Sequence, residues 1–94
     1  MKLYQDDKRF FAGDSDNPEA YIHFEKFGDD KLIVDHTYVG ESMRGQGAGK
    51  QLVEAVVNYA REENKKIVAH CPYTRDVLTN NEEYHDVFIG IHTS

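Results

Sequence analysis

One stretch constrains this chain more than any other. An extended, β-branched run, Lys31 to Val39, leads into Met43-Arg44-Gly45-Gln46-Gly47-Ala48-Gly49-Lys50, and an amphipathic helix leaves it. Glycine has no Cβ, so a backbone built from it can approach a ligand closely. A helix that starts at such a loop points its free N–H groups back into the loop, and its dipole favours negative charge there. Arg44 and Lys50 add positive potential. The stretch therefore reads as an anion cradle suited to the pyrophosphate of a nucleotide-bearing cofactor. Glycine-rich turns between strand and helix are also common where nothing binds, so the glycines alone leave a plain turn open.

The flanking sequence places this loop in a fold. Residues 1–7 carry little pattern. Lys8–Ala12 reads as a short strand, stopped by the turn formers Gly13-Asp14-Ser15-Asp16-Asn17-Pro18. Glu19 to Phe27 alternates, with Ala20, Ile22 and Phe24 on one face and Tyr21, His23 and Glu25 on the other. Gly28-Asp29-Asp30 is a tight turn, so Lys31–Val39 follows as the antiparallel partner. Strict alternation along that partner puts Leu32, Val34, His36 and Tyr38 on one face, and Ile33, Asp35, Thr37 and Val39 on the other. The polar run Asp35-His36-Thr37 at its end fits either the edge of a site or a hydrogen-bonded cluster without chemistry.

A helix is expected from about Gly47 to Glu63, with Leu52, Val56 and Ala60 in its apolar stripe and Val53 and Val57 alongside. Asn64 suits the left-handed conformation that often ends a helix. Ile67-Val68-Ala69-His70-Cys71 is then a short buried strand stopped by Pro72. Strand, helix and strand with brief connections form a βαβ unit with parallel strands and a right-handed crossover. That topology brings the glycine loop, the end of the Lys31–Val39 strand and Cys71 to one sheet edge, where ligands of open α/β sheets bind. Tyr73–Thr79 reads as a second short helix ended by Asn80-Asn81, and Val87–Ile91 as a last strand or a packed tail. The whole is an α+β sandwich spanning residues 1–94 as a single domain: a mixed, mostly antiparallel sheet with a central βαβ unit.

Composition narrows the function. The formal net charge of -6 argues against bulk nucleic-acid binding and leaves the basic loop as a site for a small anion. The single cysteine excludes an intramolecular disulfide and fits a reducing compartment. No apolar run approaches the ~20 residues of a membrane helix. The N-terminal sequence lacks the apolar region of a signal peptide. The expectation is a cytoplasmic protein with neither nucleic-acid nor membrane partner and no metal site, monomeric or homodimeric through an exposed sheet edge.

Three anion cradles compete. A P-loop needs Gly-x-x-x-x-Gly-Lys-Ser/Thr, but Gln51 follows Gly49-Lys50 and Arg44 holds the first glycine position. A dinucleotide fingerprint needs Gly-x-Gly-x-x-Gly, but Lys50 stands where its last glycine belongs. Arg44-Gly45-Gln46-Gly47-Ala48-Gly49 instead resembles the Arg/Gln-x-x-Gly-x-Gly/Ala motif of the GNAT N-acetyltransferase superfamily. With His36-Thr37-Tyr38-Val39 before it and His70-Cys71-Pro72-Tyr73 after it, the chain is similar to a short single-domain subgroup of acetyltransferase-like proteins. The resemblance covers about half the chain.

That resemblance implies a minimal GNAT-like fold and acetyl-coenzyme A as cosubstrate. Backbone N–H groups of residues 44–49, with Lys50 beside them, would hold the pyrophosphate, and the strand edge at Tyr38-Val39 would pair with the pantetheine arm. Tyr73 lies where the family often places the tyrosine that protonates the leaving thiolate. Typical members carry two helices between their first two strands; a turn-rich loop replaces them here. Asp35 and Glu41 are candidate bases by proximity.

Cys71 offers another route. At a strand end and a helix N-terminus its thiolate is favoured, so it can act as a nucleophile through a transient acetyl-Cys71, with His36 or His70 as base. Lone cysteines are also commonly buried small hydrophobes. Three functions follow: an acetyltransferase acting on an amine or thiol of a small molecule or protein, a non-catalytic regulatory module that binds coenzyme A, and a structural domain whose loop is only a turn.

Overall fold

A computed structural model describes residues 2–89. Strands β1 (Tyr4–Gln5), β2 (Arg9–Gly13), β3 (Pro18–Phe27) and β4 (Lys31–Val39) precede helix α1 (Ala48–Glu62). Strand β5 (Lys66–Ala69) and helix α2 (Pro72–Asn80) follow it. The strands form one sheet in sequence order, antiparallel throughout except for β4 and β5, which run parallel around α1. This is the mixed sheet with a βαβ unit that the hydrophobic periodicity implies. The glycine of the 28–30 turn takes φ +67°, and Phe27 pairs with Lys31 across it.

The core is the meeting of two stripes. Leu52, Val53, Val56, Val57 and Ala60 of α1 pack on Ala20, Ile22 and Phe24 of β3 and Leu32 and Val34 of β4. Each of these is essentially closed to solvent, and burying an aliphatic side chain of this size is worth about 1.5–3 kcal/mol. The helix ends where expected. Asn64 takes φ +57°, the Lys65 N–H reaches the Ala60 carbonyl (2.8 Å) and the Asn64 N–H reaches that of Arg61 (3.3 Å). Those two bonds satisfy carbonyls that the last turn leaves free.

Strict alternation fails at one place in β4. His23 of β3 faces His36, but its neighbour Phe24 faces Val34, so Asp35 is an extra, bulged residue. Past the bulge Ile22 pairs with Thr37 and Ala20 with Val39. Thr37 and Val39 therefore stand on the α1 face with the core residues, while His36 and Tyr38 stand on the opposite face beside Tyr21. The face assignment read from simple alternation is thus inverted for residues 36–39.

Of the two readings left open for Val87–Ile91, the strand reduces to a single parallel bridge between Ile67 and Phe88. Two bonds flank it, from the Ile67 N–H to the Val87 carbonyl (2.6 Å) and from the Ile89 N–H to the Ile67 carbonyl (3.1 Å). Residues 90 and 91 of that segment lie outside the described residues. The segment is a packed tail, with Val87 and Phe88 buried. Arg61 donates to both Asp86 carboxylate oxygens (3.0 and 2.9 Å), and Lys66 Nζ donates to the Asp86 carbonyl (2.6 Å).

Candidate active site

Strand β4 runs five residues beyond its parallel neighbour. The β4–β5 register stops at Val34 and Ala69. There the Val34 carbonyl accepts from both His70 N–H (2.8 Å) and Cys71 N–H (3.2 Å), and the two chains part. Residues 35–39 keep their bonds to β3, and among the described residues no strand pairs with their other edge. A bare edge offers unpaired N–H and C=O groups to any extended chain laid beside it.

The glycine loop begins where that edge ends. Gly40 N–H donates to the Glu19 carbonyl (2.8 Å), and a Cβ on Gly40 would lie only 2.8 Å from that oxygen, so no side chain fits. A short 3-10 turn, Glu41–Met43, follows. Gly45 and Gly47 then take φ +82° and +74°, values that L side chains rarely adopt. Nothing lies within 4 Å of the Cβ position at either one, so conformation rather than packing requires glycine there, and the space above them is open. Gln46 Nε2 donates to the Ser42 carbonyl (2.9 Å) and Arg44 Nε to the Val39 carbonyl (3.4 Å), which fix the loop.

Gly47 is the N-cap of α1 and has no side chain to cap it. The first bond of the helix runs from Gln51 N–H to the Gly47 carbonyl (3.0 Å), which leaves the N–H groups of Ala48, Gly49 and Lys50 without a partner in the helix. The cleft above them has a volume of about 410 Å³ and is walled by Thr37 and Val39 of β4, by Met43, Arg44, Gly45 and Gly47 to Gly49 of the loop region, and by Tyr73 of α2. Unfilled amide donors, a helix dipole and Arg44 converge on one open space. A diphosphate fits that donor set, because it supplies acceptors and negative charge where the helix supplies donors.

Tyr73 closes the far wall. Its ring rests against Gly49 so tightly that a Cβ on Gly49 would come within 2.8 Å of ring carbon Cζ. Burial, and then the negative charge of Cys71, raise its phenol above the ordinary value.

Cys71 lies behind this wall. It is the N-cap residue of α2 and is buried, with Sγ 3.6 Å from Thr37 Oγ1. Thr37 Oγ1 in turn lies 3.1 Å from Thr74 Oγ1. Burial pushes the thiol up, but the Thr74 N–H, the Thr37 and Thr74 hydroxyls and the Tyr73 N–H all favour the thiolate. Together they outweigh burial and hold the thiol below its ordinary value.

The structure brings Val39, Arg44, Gly45, Gly47, Ala48, Gly49 and Tyr73 to one cleft, with Cys71 outside its lining but against Thr37, which lines it. Gln46 staples the loop, and Lys50 stands exposed on the first turn of α1. Tyr38 contributes the backbone edge, while its ring points to the other face and packs 5.7 Å from Tyr21. His36 is not brought to Cys71. The bulge turns it to that other face, where it lies 5.5 Å from the Tyr21 ring. His70 is exposed, between the buried Ala69 and Cys71. Thr74 was missed by sequence reasoning: a threonine in a short polar helix gives no sign that it is buried against a thiol. Of the candidate bases, Asp35 pairs with His23 on the second face (Nδ1 to Oδ1, 2.7 Å), and Glu41 sits exposed in the 3-10 turn.

Comparison with known proteins identifies this fold. A sequence profile of the GCN5-related N-acetyl-transferase family matches residues 9–87. A GCN5-like putative N-acetyltransferase from Staphylococcus aureus is 36% identical, with a TM-score of 0.83 over 97% of this chain and 90% of that one. The chain belongs to the GCN5-related N-acetyltransferase family. The fold extends to the ribosomal-protein-alanine N-acetyltransferase of Brucella melitensis biovar Abortus 2308 (22% identity, TM-score 0.60, 89% of this chain and 64% of that one). It extends also to Ard1 from Thermoplasma volcanium (21% identity, TM-score 0.53, 62% and 39%). A comparison with curated protein sequences found no match. Among the described residues, no helix is long and apolar enough to cross a membrane.

Proposed function

We propose that the chain binds acetyl-coenzyme A and transfers its acetyl group to an amine. The carrying observation is the set of uncapped N–H groups at Ala48, Gly49 and Lys50, facing an open loop that adjoins the bare edge of β4. In this reading the diphosphate rests on those amides with Arg44 and Lys50 nearby, and the pantetheine arm lies along the Tyr38-Val39 edge. The thioester then lies in the opening between β4 and β5. Attack by the amine nitrogen forms the C–N bond and the C–S bond breaks with its electron pair on sulfur; Tyr73, which lines the cleft, protonates the departing thiolate, and the proton lost by the nitrogen passes to solvent, from which the Tyr73 phenol is restored.

The lowered thiol of Cys71 supports a relay. In it the Cys71 thiolate takes the acetyl group with release of the coenzyme A thiolate, and the amine then attacks acetyl-Cys71. Cys71 is buried and does not line the cleft, while Thr37, 3.6 Å from Sγ, does, so the relay requires Sγ to become exposed to the cleft. Intact-mass measurement after incubation with acetyl-coenzyme A, against a Cys71→Ser control, separates the relay from direct transfer by the acetyl adduct it leaves.

Calorimetric titration with acetyl-coenzyme A, followed by product detection across an amine panel, tests the reading. Saturable binding with turnover supports it, and no saturation at millimolar ligand overturns it. Binding without turnover supports the second reading, a module that senses coenzyme A. One observation favours that second reading: among the described residues no carboxylate or imidazole lines the cleft.

A further inference from the structure

Both helices lie on one face of the sheet. Leu78 of α2 shares a buried cluster with the α1 stripe, Ile22 and Val34, and Thr74 of α2 meets Thr37 on that same face. Among the described residues no helix packs on the other face. An aromatic row crosses it at right angles to the strands. Tyr4 pairs with Phe11, Phe11 with Tyr21 and Tyr21 with Tyr38, one ring from each of β1 to β4. The rings of Tyr4 and Phe11 lie 5.7 Å apart, as do those of Tyr21 and Tyr38. Phe11 is covered by the Arg9 guanidinium, 4.8 Å from its ring centre, but Tyr4 and Tyr38 remain 46% and 44% exposed. Farther along the face Ile33 pairs with Val68, both half-buried, and Phe27 stands exposed at the end of β3. Large apolar side chains gathered on one bare face, rather than scattered singly, mark an interaction surface.

Charge on this face is settled within it. Arg9 bonds Asp6 at 2.7 Å, His23 bonds Asp35 at 2.7 Å and Lys8 bonds Glu25 at 3.3 Å. These cations are not free to take a polyanion, and the formal net charge of -6 resides mainly elsewhere. The partner that fits has rings and aliphatic groups among self-paired charges, which describes this same face. A second copy of the chain supplies it and brings no net like charge to the contact. Size agrees. Strands about 4.8 Å apart, rising about 3.3 Å per residue, give the five strands a plan area of roughly 500 Å². Side chains roughen that plane, so two copies face to face remove somewhat more than about 1,000 Å² of accessible surface, the threshold of a specific interface.

We propose that the open face pairs with the open face of a second copy, in a two-fold dimer with the sheets about 10 Å apart and the helices outside. Laying row on row puts Tyr21 of β3, the middle strand, against Tyr21 of the second copy. The contact uses the face of the sheet rather than the β1 edge, which offers only Tyr4 and Gln5. The glycine cleft opens on the helix side at Thr37 and Val39 and stays accessible, so the dimer stands independently of acetyl transfer. An interface at the lower size bound gives a weak dimer, with a micromolar dissociation constant.

Sedimentation equilibrium of the whole chain at up to about 500 µM, well above a micromolar constant, tests this. Wild type approaches twice the 10.8 kDa of one chain as concentration rises. Tyr21→Glu and Tyr21→Lys each stay at the single mass, because like charges then meet on the two-fold axis. Mixed in equal amounts, the two variants return to the doubled mass, because a carboxylate now meets an ammonium group. Circular dichroism checks that each variant is folded. If either is not, wild-type amide shifts between dilute and concentrated protein decide: they move at Tyr21, Ile33 and Val68 and stay still in α1. Wild type that keeps the single mass at the highest concentration overturns the inference and leaves the face to a different partner. A dimer that survives Tyr21→Glu overturns it equally, as does a mixture of the folded variants that stays monomeric. Concentration-dependent shifts confined to the β1 edge or to α1 overturn it too.

Discussion

Gly49→Ala gives the most quantitative test of the cleft wall. Residue 49 is in the first turn of α1, and a helical alanine is more favourable than glycine by about 0.8–1 kcal/mol. Were residue 49 free of tertiary contacts, the substitution would stabilise the protein. In the structure the new Cβ would lie within 2.8 Å of Tyr73 Cζ and 2.9 Å of Cε2. Overpacking of this kind costs about 1–3 kcal/mol. Tyr73 is partly exposed, so its ring can swing outward and the cost falls toward the lower end. The expected net effect in wild type is near zero or destabilising by up to about 2 kcal/mol. In a Tyr73→Ala background the obstacle is gone, and Gly49→Ala should stabilise by close to its full propensity gain. The coupling between the two sites is therefore at least about 1 kcal/mol, or roughly 4–8 °C in Tm for a domain of this size. Thermal and urea unfolding of the four proteins, followed by circular dichroism, measures it. Equal stabilisation by Gly49→Ala in both backgrounds would refute the placement of Tyr73 against the helix start.

Other outcomes follow from the same geometry. Alkylation of Cys71 as a function of pH should give a midpoint below the 9.0 of an unperturbed thiol, and Thr37→Val should move it upward; an unmoved midpoint contradicts the hydroxyl contact. Asp86 has its carboxyl lowered first by the Arg61 guanidinium, and Asp6 is lowered by Arg9 and the Lys8 N–H against the opposing push of burial. A depressed folded-state pKa adds stability above the unfolded value near 3.8. That stability is lost as pH falls through the folded values. Unfolding at descending pH should therefore show the deficit of Arg61→Ala against wild type shrinking as pH falls below the unfolded value of 3.8, whereas a constant difference would contradict the pairing.

Much of the architecture was legible in the residues, for physical reasons. The turn at Gly28-Asp29-Asp30, the stripe from Leu52 to Ala60 and the cap at Asn64 are each set by local chemistry, and all three stand where the pattern puts them. The glycine loop was legible because Gly45 and Gly47 occupy left-handed conformations that constrain residue type. The bulge was not. In a central strand both faces are partly apolar, so an extra residue at Asp35 leaves no break in the alternation, yet it moves His36 away from Cys71 and Thr37 toward it. The contact of Tyr73 with Gly49 and the burial of Thr74 were equally hidden, since both depend on how α2 docks rather than on its own sequence. β1 escaped notice because a two-residue strand has no period to read.

The central claim is that free amides at the start of α1 hold a diphosphate. An amide-resolved NMR titration with coenzyme A and, separately, with pantetheine, which lacks the diphosphate, addresses it most directly. The account predicts that coenzyme A shifts the amides of Gly45 through Lys50 in a saturable manner, while pantetheine leaves them in place and perturbs only the β4 edge near Tyr38 and Val39. Loop amides that stay still with coenzyme A, or that move equally with pantetheine, would contradict it.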